Sequence, residues 1–310
     1  MIDSGSSYRL SLERSPDATA LVDDRHRLSY KSWFDKIRRA ASGLDRMGLE
    51  KGDRLGVVLQ NRQEMATLHW ACQFLGLIIT PLNWRMKVGE LDYCLQNAEA
   101  AAIVFQDVSE DTIAESNEAG SIPRIGLAAG ENATTTFEDL LDENSFGGEP
   151  RAEPDDISVM LYTSGTTGKP KGVPRSHRAE RAAALAHVAQ HRSIVGEVTL
   201  GTMPFYHTMG VRSLLAMQLL DGCLICQRKF DPRETLKLIE KEKITSVFLV
   251  PTLFHDLLAE PTFDEFDISS AVRLGFAGAP MPDGLMFKIW EKMTPDQLIN
   301  HYGSSEIYTF

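Results

Sequence analysis

Short apolar runs patterned like β-strands alternate, along most of the chain, with longer stretches of helical periodicity. A chain built this way has to cover its strands with helices, which makes it an α/β protein. The pattern predicts strands at 54–59, 78–82, 101–105, 157–162, 223–227, 246–250, 272–277 and 298–302. Helices are predicted over 31–48, 62–76, 87–96, 177–192, 210–220, 232–242, 252–259 and 283–293. No Pro/Gly linker cleanly divides the 310 residues, so two interleaved subdomains are expected, about 50–190 and 1–49 plus 191–310. Residues 107–156, acidic and rich in Gly, Asn and Pro, read as a surface connection.

Apolar residues at 43% can supply large cores. The net charge of -11 argues against a nucleic-acid binder, which carries a basic face. No apolar run approaches the roughly 18–20 residues that span a membrane. The first residues, Met1-Ile-Asp-Ser-Gly-Ser-Ser7, have no apolar signal core, which points to a cytoplasmic protein. Cys223 and Cys226 have the CxxC spacing of zinc and redox sites. They sit in a strand-like segment, where residues three apart face opposite ways, so ordinary buried thiols are expected.

The segment that carries chemistry is Tyr162-Thr-Ser-Gly-Thr-Thr-Gly-Lys-Pro-Lys-Gly-Val173, placed after an apolar strand and before a helix. Gly165, Gly168 and Gly172 let the backbone turn tightly and come close to a ligand. Thr163, Ser164, Thr166 and Thr167 add hydroxyls, and Lys169 and Lys171 add charge. Amides converging in such a loop form an anion site. The spacing is not that of a Walker A loop: two residues separate Gly165 from Gly168, and Pro170 follows Lys169.

This segment resembles the phosphate loop of the adenylate-forming superfamily: acyl- and aryl-CoA ligases, nonribosomal adenylation domains and luciferases. Three further segments match in the family's order: Pro204-Phe-Tyr-His-Thr-Met-Gly210, Phe276-Ala-Gly-Ala-Pro280 and Asn300-His-Tyr-Gly-Ser-Ser-Glu306. Pro16-Asp-Ala-Thr-Ala20, Gly52-Asp53 and Pro81-Leu-Asn-Trp-Arg85 fit as well. The resemblance is strongest to aryl- and acyl-CoA ligases of the chlorobenzoate type. It implies interleaved α/β subdomains of the adenylate-forming N-terminal domain, with most of the family's β-barrel and all of its C-terminal domain absent. Ser305 stands where the family usually has Thr, a departure that keeps the hydroxyl.

The resemblance implies an enzyme that activates a carboxylic acid with ATP and Mg²⁺, then passes the acyl group to CoA as co-substrate. Residues 163–169 and Lys171 would hold phosphate. Gly278, Ala279 and Pro280 would form the adenine turn, with Tyr302 stacked on the ring and Gly303, Ser304, Ser305 and Glu306 around the α-phosphate. Thr163 and Glu306 would be metal ligands and, with His207, the catalytic residues. The acid would be bound by His207, Met209, Val211, Phe248, Val250, Gly278, His301 and Gly303. Other readings are an adenylating enzyme that loads a carrier protein, or a non-catalytic nucleotide- or acyl-binding remnant. No nucleic-acid partner is expected, and a homo-oligomer is left open. The family's later ribose-binding motif, hinge and catalytic lysine have no counterpart before Phe310, so by itself this chain is expected to make little or no thioester.

Overall fold

The computed structural model describes residues 2–141, 145–163 and 168–309. Its strands in chain order are β1 (Thr19–Val22), β2 (Arg27–Ser29), β3 (Arg54–Val58), β4 (Ile78–Pro81), β5 (Ala100–Phe105), β6 (Arg124–Gly126), β7 (Thr135–Thr136) and β8 (Ile157–Thr163). They continue with β9 (Lys171–Ser176), β10 (Val198–Gly201), β11 (Cys223–Cys226), β12 (Ser246–Leu249), β13 (Arg273–Phe276), β14 (Gln297–Asn300), β15 (Gly303–Ser304) and β16 (Tyr308–Thr309).

Two seven-stranded sheets result. One has the order β7-β6-β5-β3-β4-β8-β9 and the other β14-β13-β12-β10-β11-β1-β2. Every neighbouring pair is parallel except the outermost β8/β9 and β1/β2. Parallel neighbours need crossovers, and the alternating helices provide them. In each sheet the strand order reverses once, beside β3 and beside β10. In open α/β sheets such a reversal leaves a crevice at the carboxyl ends of the strands.

Helix Tyr30–Arg46 starts at a capping box between Ser29 and Ser32. It buries Trp33, Ile37, Ala40, Ala41 and Leu44, one face of a 3.6-residue period. Helix Gln63–Leu75 is buried at every position, as a helix packed on all sides must be. It belongs to a core that includes Leu55, Val57 and Ile79 of one sheet and Leu21, Leu224 and Cys226 of the other. Within β11, Cys226 joins this core while Cys223 faces a second one with Ile225 and Val247. All four cysteines are buried free thiols, and burial raises the pKa of each.

The stretch 107–156 is more structured than its composition predicts. It adds β6 and β7 to a sheet edge, and Phe137, Leu140 and Leu141 enter the core. Isolated apolar residues among acids carry no period, so this packing leaves no sequence signal. Among the described residues, no helix is long and apolar enough to cross a membrane.

Candidate functional site at the carboxyl edges of both sheets

The strands on either side of the phosphate-type segment form an antiparallel pair. β8 ends at Thr163 and β9 returns from Lys171, the two residues paired directly across the ladder. An antiparallel strand thus lies between the loop and helix His177–Gln190, where direct entry into the helix was expected. Val173 and Arg175 are buried and Pro174 exposed, the period of two of a strand. Pro174 is tolerated because β9 is an edge strand, and it also hides that strand from sequence reading. Ser164, Gly165, Thr166 and Thr167 lie outside the described residues. Gly168 has φ +84° with open space around it, and the Lys169 ammonium sits 5.2 Å from the centre of the Tyr93 ring.

His207 lies in the loop that leaves β10 at the strand-order reversal, and it is the residue before helix Thr208–Leu219. It forms the shared wall of two cavities. One, of about 410 Å³, is bounded by Pro81, Asn83, Tyr162, Thr163 and Tyr206. The other, of about 290 Å³, is bounded by Met203, Met209, Val250, Gly278 and Gly303–Ser305. His207 is open to these cavities, yet the surrounding protein disfavours its charged form and lowers its pKa. A neutral imidazole can accept a proton or hydrogen-bond a carboxylic acid group.

Two features fix this loop. Buried Asn61, just past β3, donates to the carbonyls of Gly201 at 2.8 Å and Met203 at 2.7 Å, and accepts from the Phe205 amide at 3.2 Å. It thereby ties one sheet's carboxyl edge to the other's. Gly210 lies so close to the loop that a Cβ there would stand 2.3 Å from the Pro204 carbonyl oxygen.

The remaining predicted residues follow β13 and β14. Gly278 has φ +87° and lines the smaller cavity, while Ala279 and Pro280 border a third cavity of about 480 Å³ with Pro251 and His255. Tyr302 is 77% exposed and offers its ring to solvent. Gly303 and Ser304 pair with Thr309 and Tyr308, with Glu306 in the turn between. The Ser304 hydroxyl, the Glu306 amide and nearby Lys171 hold the Glu306 carboxylate below its ordinary pKa. Lys171 is also the ladder partner of Thr163.

The structure therefore gathers Thr163, His207, Met209, Val250, Gly278, Gly303, Ser304 and Ser305 around two adjoining cavities. Three predicted acid-binding residues lie elsewhere. Val211 is buried in the core with Phe205 and Leu214. Phe248 and His301 are buried together, ring centroids 5.0 Å apart, beside His187 and His191. A further cavity of about 210 Å³, lined by Arg9, Phe34 and Phe146, contains no predicted residue.

Sequence reading missed Asn61, Tyr206 and the buried pair Arg175–Glu180, whose side chains are 1% and 0% exposed. Arg175 also donates to the Thr208 hydroxyl at 2.9 Å, and that hydroxyl lies 3.5 Å from the Ser305 hydroxyl. This chain of contacts joins β9, the helix start beside His207 and the turn before Glu306. An Arg on a strand facing a Glu on the next helix has no periodic signature.

The family model of AMP-binding enzymes matches residues 9–310. A feruloyl-CoA synthase of an Amycolatopsis species is 30% identical over 296 residues, covering 94% of this chain and 57% of the relative. A long-chain-fatty-acid–CoA ligase of Bacillus subtilis strain 168 is 28% identical over 331 residues, covering 96% and 58%. The luciferase-like enzyme of the nonluminescent mealworm Zophobas morio shares the fold, with a TM-score of 0.91 at 24% identity over 100% of this chain and 74% of that one. This chain thus spans less than three fifths of the length of these two curated relatives. With the family model matched over nearly its whole length, the chain belongs to the AMP-binding enzymes, whose named relatives include acyl- and aryl-CoA ligases.

Proposed function

We propose that this chain is the ATP-handling N-terminal portion of a cytoplasmic acid–CoA ligase, with subdomains 50–190 and 1–49 plus 191–310. The observation that carries the reading is His207 standing between a cavity that begins at Thr163 and one that reaches Gly278 and Ser305. An acid carboxylate and a nucleotide α-phosphate meet at such a junction. A carboxylate oxygen attacks the α-phosphorus, the bond to the pyrophosphate oxygen breaks, and acyl-AMP forms. The CoA thiolate then attacks the acyl carbon and AMP leaves.

Each residue has a part in holding this polyanionic reaction in line. Lys169, Lys171 and the hydroxyls and amides of 163–168 take the pyrophosphate charge. Tyr302 stacks on adenine against the Gly278-Ala279-Pro280 turn, a contact worth about 1–3 kcal/mol at comparable base sites. His207 orients the acid carboxylate as a neutral imidazole. The Thr163 hydroxyl and Glu306 carboxylate are hard oxygen donors, the type that suits Mg²⁺ bound together with phosphate. When bound, the ion supplies charge neutralisation on the phosphates.

Met203, Met209 and Val250 line the same cavity as Gly278 and Ser305, and give an acyl group lying beside the nucleotide an apolar wall fit for an aryl or aliphatic chain. The test is acid-dependent exchange of labelled pyrophosphate into ATP, measured on this sequence extended to the length of its relatives. Benzoates, cinnamates and fatty acids form the panel. Exchange that requires one of these acids supports the reading; ATP turnover indifferent to every acid overturns it.

A further inference from the structure

His187, His191 and His301 form a buried cluster that the proposed reaction does not use. His187 is in the last turn of helix His177–Gln190 and His191 is its C-cap. The spacing His187-Val-Ala-Gln-His191 places both imidazoles on one face of the helix. His301 enters from the end of β14, where its amide donates to the Phe276 carbonyl at 2.8 Å. One nitrogen from each ring lies within 4.8 Å of the other two. Nε2 of His191 and Nε2 of His301 face each other at 2.5 Å, below the usual range for a hydrogen bond between nitrogen and its acceptor. Nδ1 of all three rings is buried without a hydrogen-bond partner among the described residues.

We infer that these three imidazoles bind one divalent transition metal ion of the zinc class, at a site separate from the Mg²⁺–nucleotide position. Two histidines four apart on a helix with a third from elsewhere in the fold is a zinc ligand pattern, and three neutral imidazoles suit Zn²⁺, Co²⁺ or Cu²⁺ rather than Mg²⁺. Metal–nitrogen bonds of about 2.0–2.1 Å set tetrahedral nitrogens roughly 3.4 Å apart. Side-chain rotation of about 1 Å therefore converts the present spacing into a coordination shell. Gly275 admits the His191 ring, since a Cβ there would lie 2.5 Å from His191 Cε1. Phe248 packs on all three rings and shields them from bulk water. The Arg212 charge acts on His187 and His301 and works against positive charge at the cluster, a cost that the three metal–nitrogen bonds must outweigh.

The experiment is a titration of the chelator-treated 310-residue protein with Co²⁺, followed by the visible d–d bands and by competition with Zn²⁺. One equivalent is expected to bind with tetrahedral bands that Zn²⁺ abolishes. His187→Gln and His191→Phe should each weaken Co²⁺ binding by about tenfold or more while the far-ultraviolet circular dichroism stays unchanged. Unchanged binding in either folded variant overturns the inference, as does wild-type protein that binds no single saturable equivalent. If both variants unfold, X-ray absorption of zinc on the wild-type protein decides. Three imidazole nitrogens in the first coordination shell support the site, and fewer than three refute it.

Discussion

Asn61 is the side chain through which one sheet positions the reactive edge of the other, and Asn61→Ala measures that link. The amide is 3% exposed and makes three hydrogen bonds to the 201–205 loop. The Gly201 carbonyl keeps a second donor, the Gln227 amide at 3.2 Å. The Met203 carbonyl and Phe205 amide lose the bond that Asn61 supplies. A buried polar group left without its partner costs about 1–3 kcal/mol. The substitution should thus destabilise the protein by about 2–6 kcal/mol, against a total stability of roughly 5–15 kcal/mol for an ordinary domain. Urea denaturation gives this as a lower midpoint at unchanged slope. The same loop carries His207, so its imidazole resonances should shift in the nuclear magnetic resonance spectrum of the folded variant. A loss under about 0.5 kcal/mol, the usual scatter for neutral surface changes, with His207 unmoved, would refute the reasoning.

Three further outcomes test other parts of the account. Glu180→Ala removes the carboxylate facing Arg175 in a buried pair and should cost about 3–5 kcal/mol in chemical denaturation, whereas Arg175→Met with Glu180→Leu should recover most of it; equal losses in both would count against the buried-pair argument. Gly210→Ala drives a methyl group against the Pro204 carbonyl, displacing the His207 loop by about 1 Å and slowing acid-dependent pyrophosphate exchange about a hundredfold in the extended enzyme; a rate within twofold of wild type would show that the loop absorbs the change. Acid should loosen the packing of the N-terminal helix. Burial lowers the pKa of His69 to about 3 and of His177 to about 4, and Nδ1 of His177 accepts from the Ser4 amide at 3.2 Å. Their folded pKa values lie below the unfolded value near 6.5, so the stability they confer is full above about pH 6.5 and falls as pH drops toward 4. Each should contribute a loss of about 2 kcal/mol between pH 7.5 and pH 5. His69→Gln and His177→Gln should flatten that slope, and an unchanged slope in both would exclude these two groups.

Much of the fold was legible in the residues because its signals are local. Helices Pro232–Glu242 and Asp283–Met293 carry a 3.6-residue apolar period and begin at Asp231 and at Pro282. Interior strands such as β5 and β11 are short unbroken apolar runs, as burial on two faces requires, whereas β10, interrupted by Thr199, and β1 were not predicted. β9 was not legible, because Gly172 and Pro174 interrupt its alternation and only edge position permits them. Helix Ser4–Arg14 was also invisible. It buries Ser4, Ser7 and Ser11 through hydrogen bonds to distant partners, His177 and Gln218, rather than through an apolar stripe.

The site divides in the same way. Gly278, marked by residue type, has a positive φ and lines a cavity, and His207, marked by its surrounding motif, lines that cavity and the one beside it. The resemblance implies an acid-binding role for Phe248, Val211 and His301, and they line neither cavity; which way a side chain points from a strand end or helix start depends on packing partners far away. His301 turns to His187 and His191, and Val211 turns to the core. Asn61 and Arg175 act across the gap between sheets, a relation that no window of sequence contains.

The central claim is that an acid site and a nucleotide site adjoin at His207 in this chain. Isothermal titration of the 310-residue protein with a non-hydrolysable acyl-adenylate analogue, compared with AMP and with the free acid, tests it most directly. If the two cavities are one reaction site, a single ligand that fills both avoids a second loss of translational freedom and binds at least about a hundredfold tighter than AMP. His207→Ala should remove most of that advantage while leaving AMP affinity unchanged. An analogue that binds no tighter than AMP, or whose advantage survives His207→Ala in a folded protein, would contradict the account.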